Sequence, residues 1–168
     1  MSKKIGKILL IGSVDEAMHK DFTEKLQELA NRGIKKVNII LNSAGGSVTD
    51  ALAIVSTMRT HRMFGFKFTI IAQGAIMSAA TLILAAGDKR IITEESWVMV
   101  HESSVKLKGN VSVLEKELSQ LRRMEVQWCD LMAKYTMTSA KEWARMNKET
   151  TYLDADECLR LGLADSKV

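Results

Sequence analysis

A chain of 168 residues with 46% hydrophobic content is long enough to bury one core, so a single domain over residues 1–168 is the default expectation. No apolar run approaches the ~20 residues of a membrane span, and the start, Met1-Ser2-Lys3-Lys4-Ile5-Gly6, lacks the apolar segment of a secretory signal; the expected location is the cytoplasm, without a membrane partner. The formal charge of +4 comes from 24 basic and 20 acidic residues spread along the chain, which bears weakly on solubility and is no evidence for nucleic acid, so no nucleic-acid partner is expected.

Two cysteines, Cys129 and Cys158, lie inside helical patterns and far from metal-ligand spacing, so core packing is expected and neither a metal nor another cofactor is. The stretch Phe64-Gly65-Phe66-Lys67-Phe68 has the alternating aromatics of an RNA-stacking strand, but its order does not match that pattern and no second aromatic strand accompanies it. A buried strand with alternating Phe is the better reading.

In chain order, Ile5 to Ile11 reads as a buried strand closed by Gly12-Ser13. Asp15 caps a helix from Glu16 to Leu29, with Met18, Phe22, Leu26 and Leu29 at helical spacing and Gly33 at its end. Lys36 to Asn42 is a second strand, and the three pieces form a parallel βαβ unit with a right-handed crossover. The turn Ser43-Ala44-Gly45-Gly46-Ser47 then opens a helix over about Thr49 to Arg59. It lacks the Lys of a phosphate-binding loop, which leaves an oxyanion site or an ordinary strand-to-helix turn.

Phe66 to Ala72 is a third strand ending at Gln73-Gly74, and Ser78 to Ala86 an alanine-rich helix stopped by Gly87. Lys89 to Ile92 and Ser96 to His101 are two further strands. The longest helical pattern runs from Val111 to Tyr135, with Leu114, Leu121, Trp128 and Tyr135 at seven-residue spacing; either it wraps the core or its apolar stripe meets another subunit, the second being the favoured expectation. Ser139-Ala140-Lys141-Glu142 is a capping-box pattern opening a helix to about Asn147, and Asp154 to Glu157 opens a last one ended by Gly162.

The chemistry concentrates between Gly74 and His101. Ser78 stands at a tight entry into an apolar helix and His101 at the end of an apolar strand, with room between them for a helix and a return strand. That path can fold an imidazole over a serine hydroxyl, as nucleophilic catalysis requires. His19 and His61 are expected at the surface. On spacing alone, His101 as a general base and His101 as a structural residue stand side by side.

These segments, from about Ile8 to Asp165, resemble the ClpP family of serine peptidase subunits. The resemblance rests on Asn42-Ser43-Ala44-Gly45-Gly46-Ser47-Val48-Thr49, on Gly74 to Ser78 with Ala85-Ala86-Gly87, on Val98-Met99-Val100-His101, and on Gly162-Leu163-Ala164-Asp165. It implies a ClpP/crotonase-type α/β fold of repeated βαβ units with a protruding handle over about residues 103–135, entered through Gly109. It implies Ser78 as nucleophile, His101 as general base, and an oxyanion hole from the N–H groups of Gly46 and Ala79. It further implies a homo-oligomer of heptameric rings, possible as a double-ring tetradecamer, whose chamber admits peptides and unfolded proteins.

Three departures accompany the resemblance. The acidic triad position, two residues before Tyr152, holds Thr150; Glu149 is adjacent, in a segment expected to be extended. The segment before the first strand is short, and Asn38 and Ile40 replace the aromatic residues of the family's ATPase-docking pocket, which weighs against a standard AAA+ unfoldase partner. A chain of this kind resembles phage or prophage versions of the family. The alternative is a non-catalytic ring subunit that completes or regulates another ClpP assembly. A crotonase acting on acyl-CoA shares the fold but leaves the Gly74–Ser78 segment and the histidine strand unexplained.

Overall fold

The computed structural model describes residues 4–168, so Met1 to Lys3 of the leading segment lie outside the described residues. The first strand, β1 (Ile5–Ile11), is followed by helix α1 (Glu16–Asn31), strand β2 (Lys36–Ser43), helix α2 (Val48–Arg62) and strand β3 (Lys67–Met77). Asp15 starts α1 by accepting the Met18 N–H at 2.9 Å, and Met18, Phe22, Leu26 and Leu29 form its buried stripe. Burying each of the larger side chains on that stripe stabilises the fold by about 1.5–3 kcal/mol. Ser47 starts α2 in the same way, through the Asp50 N–H at 3.2 Å.

Strands β1, β2 and β3 pair in parallel, as βαβ connections dictate. The remaining elements are α3 (Ala79–Ala85), β4 (Lys89–Ile92), β5 (Trp97–Val100), α4 (Val111–Tyr135), α5 (Ala140–Glu149), β6 (Thr151–Leu153), α6 (Ala155–Arg160) and β7 (Ser166–Lys167). The described strands make one mixed sheet in the order β1-β2-β3-β4-β7, with β5 pairing β3 and an antiparallel β6 pairing β5. The fold is therefore α/β with a mostly parallel sheet.

Several expectations change in the folded chain. β1 is buried on one face only; Ile5, Leu9 and Ile11 alternate outward and stay exposed, because α1 packs on the opposite face. β3 does not stop at Gln73 but runs to Met77, pairing β4 through Thr69–Ala72 and β5 through Ala75–Met77. The junction is Gly74, whose φ of +76° turns the strand from one partner to the next. Phe64 sits in the preceding turn and is exposed, so the buried alternation begins at Phe66 and continues at Phe68. His61 is half-buried, with its ring edge-on to Phe66 and Nδ1 at 2.9 Å from the Thr57 carbonyl.

The long helix α4 has the expected bounds and is capped by Asn110, directly after Gly109. Only Trp128, Cys129 and Met132 of it are buried, all towards its C-terminal end, while Val111, Val113, Leu118 and Val126 are exposed. Its buried end is clamped by α5, where Trp143 packs edge-on against Trp128 and donates its indole N–H to Thr136 Oγ1 at 3.0 Å. Such an aromatic pair contributes about 0.5–1.5 kcal/mol beyond burial. Among the described residues no helix is long and apolar enough to cross a membrane.

Candidate active site

Ser78 sits at the junction of β3 and α3. Its N–H donates to the Met99 carbonyl at 2.7 Å, continuing the β3–β5 pairing one step, while its own carbonyl accepts from Thr81. Between these ties the backbone turns sharply, with φ 53° and ψ −126°. A non-glycine residue held there stores about 1–3 kcal/mol of strain, and such strand-to-helix elbows project a side-chain oxygen clear of the sheet. The Ser78 side chain makes no capping bond to α3, so its hydroxyl is not consumed by the helix start.

The glycine turn lies directly against this elbow. A Cβ on Gly45, where φ is +95°, would stand 2.6 Å from the Met77 carbonyl oxygen and 2.7 Å from Ser78 Cβ, so only glycine permits the approach. The turn is held by Val14, whose N–H donates to the Gly45 carbonyl at 2.9 Å and whose carbonyl accepts the Ser47 N–H at 2.7 Å. These bonds leave the Gly46 N–H out of the local pairing. Ala79 is the first residue of α3, where a backbone N–H has no partner within its own helix.

His101 follows β5 immediately and reaches the same place. Ser78 and His101 line one small cavity with Ala79, and they also line a groove of about 440 Å³ with Gly46. The other walls of that groove come from the glycine turn, from Ser103 to Val105, and from Leu121 and Met124 of α4. The chain after His101 is tied down twice: the Glu102 N–H donates to the Asn147 carbonyl and the Ser103 N–H to Glu125 Oε1, each at 3.0 Å. All four residues expected to carry the chemistry, Ser78, His101, Gly46 and Ala79, thus fall in one region.

Thr150 and Glu149 stand differently. The β5–β6 register pairs Val100 with Thr151, and one further step would set Thr150 opposite His101. Thr150 instead leaves the ladder as the left-handed cap of α5, with φ 51°, and is exposed. Glu149 is not in an extended segment; it is the last residue of α5, and its carboxylate is bound by Arg145. Neither residue lines the cavity that holds Ser78 and His101.

Two residues that sequence reasoning passed over do line it, Asn147 from α5 and Glu125 from α4. The available signal for Asn147 was its place on the buried stripe of α5 beside Trp143 and Met146, a position where an amide is uncommon. The cysteines offer no rival nucleophile. Burial, reinforced by Asp130 and Glu125, raises the thiol pKa of Cys129, and burial with Asp154 and Glu157 pushes that of Cys158 up to about 12. Among the described residues no three His, Cys, Asp or Glu side chains are grouped to hold a metal ion.

A family model described as Clp protease matches residues 2–168. The chain is 27% identical over 164 residues to the ATP-dependent Clp protease proteolytic subunit 2 of Pseudomonas aeruginosa, covering 96% of this chain and 80% of that protein. It is 28% identical over 166 residues to the ATP-dependent Clp protease proteolytic subunit 4 of Rhodococcus jostii, covering 96% of this chain and 84% of that protein. With a match that runs almost from end to end, the chain belongs to the Clp protease family.

Proposed function

We propose that the chain is the proteolytic subunit of a Clp-type serine endopeptidase. The observation that carries this reading is the convergence of Ser78, in its strained elbow, with His101 and the glycine turn around one groove. A substrate peptide lies along the groove. His101 takes the proton of Ser78 Oγ as the oxygen attacks the scissile carbonyl, then gives that proton to the leaving amine. The N–H groups of Gly46 and Ala79 receive the oxyanion, each contributing about 3 kcal/mol to the barrier reduction. Water then repeats the sequence on the acyl-enzyme and restores Ser78.

The exposed apolar residues of α4 support a handle that joins two rings face to face, the pair enclosing a chamber that restricts access to peptides and unfolded chains. The relatives are named as subunits of ATP-dependent proteases, so a separate ATPase would deliver folded substrates. Asn38 and Ile40, half-buried on β2, offer no aromatic pocket for it, and peptide cleavage itself requires no ATP.

Hydrolysis of short fluorogenic peptides by the assembled protein tests the reading. Wild type is expected to turn over, with Ser78→Ala and His101→Ala reduced to background. Equal turnover by Ser78→Ala would contradict the assignment.

A further inference from the structure

Asn147 is more than nine-tenths buried, at 8% exposure, yet its Oδ1 has no hydrogen-bond partner among the described residues. Folded chains keep few such orphans, and one beside a reaction centre points to a partner that the resting geometry leaves open. The rest of the residue is engaged. Its Nδ2 faces Cys129 Sγ at 3.9 Å, and its carbonyl accepts the Glu102 N–H at 3.0 Å and the Thr150 N–H at 3.2 Å. The first of these backbone bonds draws the residue after His101 onto α5. Asn147, His101 and Ser78 then line one cavity of about 20 Å³, room for roughly one water.

We propose that Asn147 is the positioning residue of His101. Its Oδ1 accepts the imidazole Nδ1–H, directly or through the one water the cavity admits, and this sets the Nε2 lone pair towards Ser78. The proposal rests on the reading of His101 as the general base. An amide oxygen can fix the tautomer and face the imidazolium with its dipole, a role asparagine fills in the Cys-His-Asn enzymes, but it lacks the charge of an aspartate. Around the pair, Glu125 of α4 lines the same cavity and its Oε1 already accepts the Ser103 N–H; Glu102 and Asp130 border the cavity on the other side of Asn147.

The test is side-chain NMR of the assembled, 15N-histidine-labelled protein, with His101→Ala to assign the resonance, alongside the pH profile of Ser78 acylation by a fluorophosphonate. Wild type is expected to hold His101 as the Nδ1–H tautomer. Asn147→Ala should release it to the Nε2–H form that free imidazole side chains favour and slow acylation on the order of 100-fold. Asn147→Asp, which keeps the volume, should retain the Nδ1–H tautomer and move the acid limb of the profile about one unit higher, because a carboxylate stabilises the imidazolium. Glu125→Gln and Thr150→Ala should leave the tautomer unchanged.

An Nε2–H tautomer in wild type, a tautomer indifferent to Asn147→Ala in folded protein, or one that answers to Thr150→Ala instead would overturn the proposal. If wild type fails to acylate at Ser78, the peptidase reading fails, and the tautomer alone decides the role of Asn147.

Discussion

Two glycines with similar φ angles and different surroundings separate the geometry of the site from the cost of its turns. Gly45 has φ +95° and Gly12 φ +105°; a Cβ on Gly45 meets Ser78 Cβ at 2.7 Å, whereas one on Gly12 meets nothing within 4 Å. Alanine at either position adopts a left-handed conformation at a cost of about 1–2 kcal/mol. At Gly45 the contact must also open by about 1 Å, since carbon atoms settle at 3.5–4.0 Å, and forced repacking of this kind adds about 1–3 kcal/mol. That opening moves the Gly46 N–H away from Ser78. A displacement of about 1 Å in a catalytic arrangement is enough for a loss on the order of 100-fold. Gly45→Ala is therefore expected to lose about 2–5 kcal/mol in denaturant titration and about 100-fold in the rate of Ser78 acylation. Gly12→Ala is expected to lose about 1–2 kcal/mol with acylation within about two-fold of wild type. Equal acylation rates in the two variants would refute the claim that the turn is seated against Ser78 for catalysis.

Arg90 ties the end of the fold together: Nη1 donates to the Tyr135 and Gly162 carbonyls at 2.7 Å each, and the guanidinium pairs with Asp165. Arg90→Ala should lower stability by about 2–4 kcal/mol, lowering Tm by about 2–4 °C per kcal/mol, with Arg90→Lys recovering little of it. Burial alone would raise the carboxyl pKa of Asp165, but the Arg90 hydrogen bonds outweigh it and hold the pKa below its ordinary value. A depressed acid contributes stability above its unfolded pKa of about 3.9 and loses it as pH falls through the lower folded value. Stability measured across that acid range should fall in wild type and fall less in Asp165→Asn. On α4, Leu118 is 47% exposed, so Leu118→Asp should leave the subunit folded while sedimentation shows the double ring separating into single rings; an intact double ring would contradict ring-to-ring contact through this face.

Much of the fold was legible because its signals are local. The Met18, Phe22, Leu26 and Leu29 stripe, the Asp15 cap and the Val111–Tyr135 periodicity each specify an element from a few neighbouring residues, and each stands in the structure as read. The misreadings share a different cause. Gln73-Gly74 has the composition of a turn, and only the switch from β4 to β5 reveals a continuous strand. β7 is two residues long and exists through pairing with β4, which no local pattern announces. At the site, the serine and histidine segments were readable as motifs. The orphaned oxygen of Asn147 was not, because it is defined by the packing of α5 against the chain beyond His101. Glu149 was misplaced for a related reason: α5 ends at the left-handed Thr150, a conformation that threonine's β-branched side chain gives no sign of.

The central claim, that Ser78 is a nucleophile activated by His101, is met most directly by covalent labelling. Assembled protein is treated with a fluorophosphonate and read by intact mass, with Ser78→Ala and His101→Ala in parallel. One adduct per chain on wild type, absent from Ser78→Ala and strongly slowed in His101→Ala, is the predicted result. Folded, ring-assembled wild type that takes up no label, or labels as readily without Ser78, would contradict it.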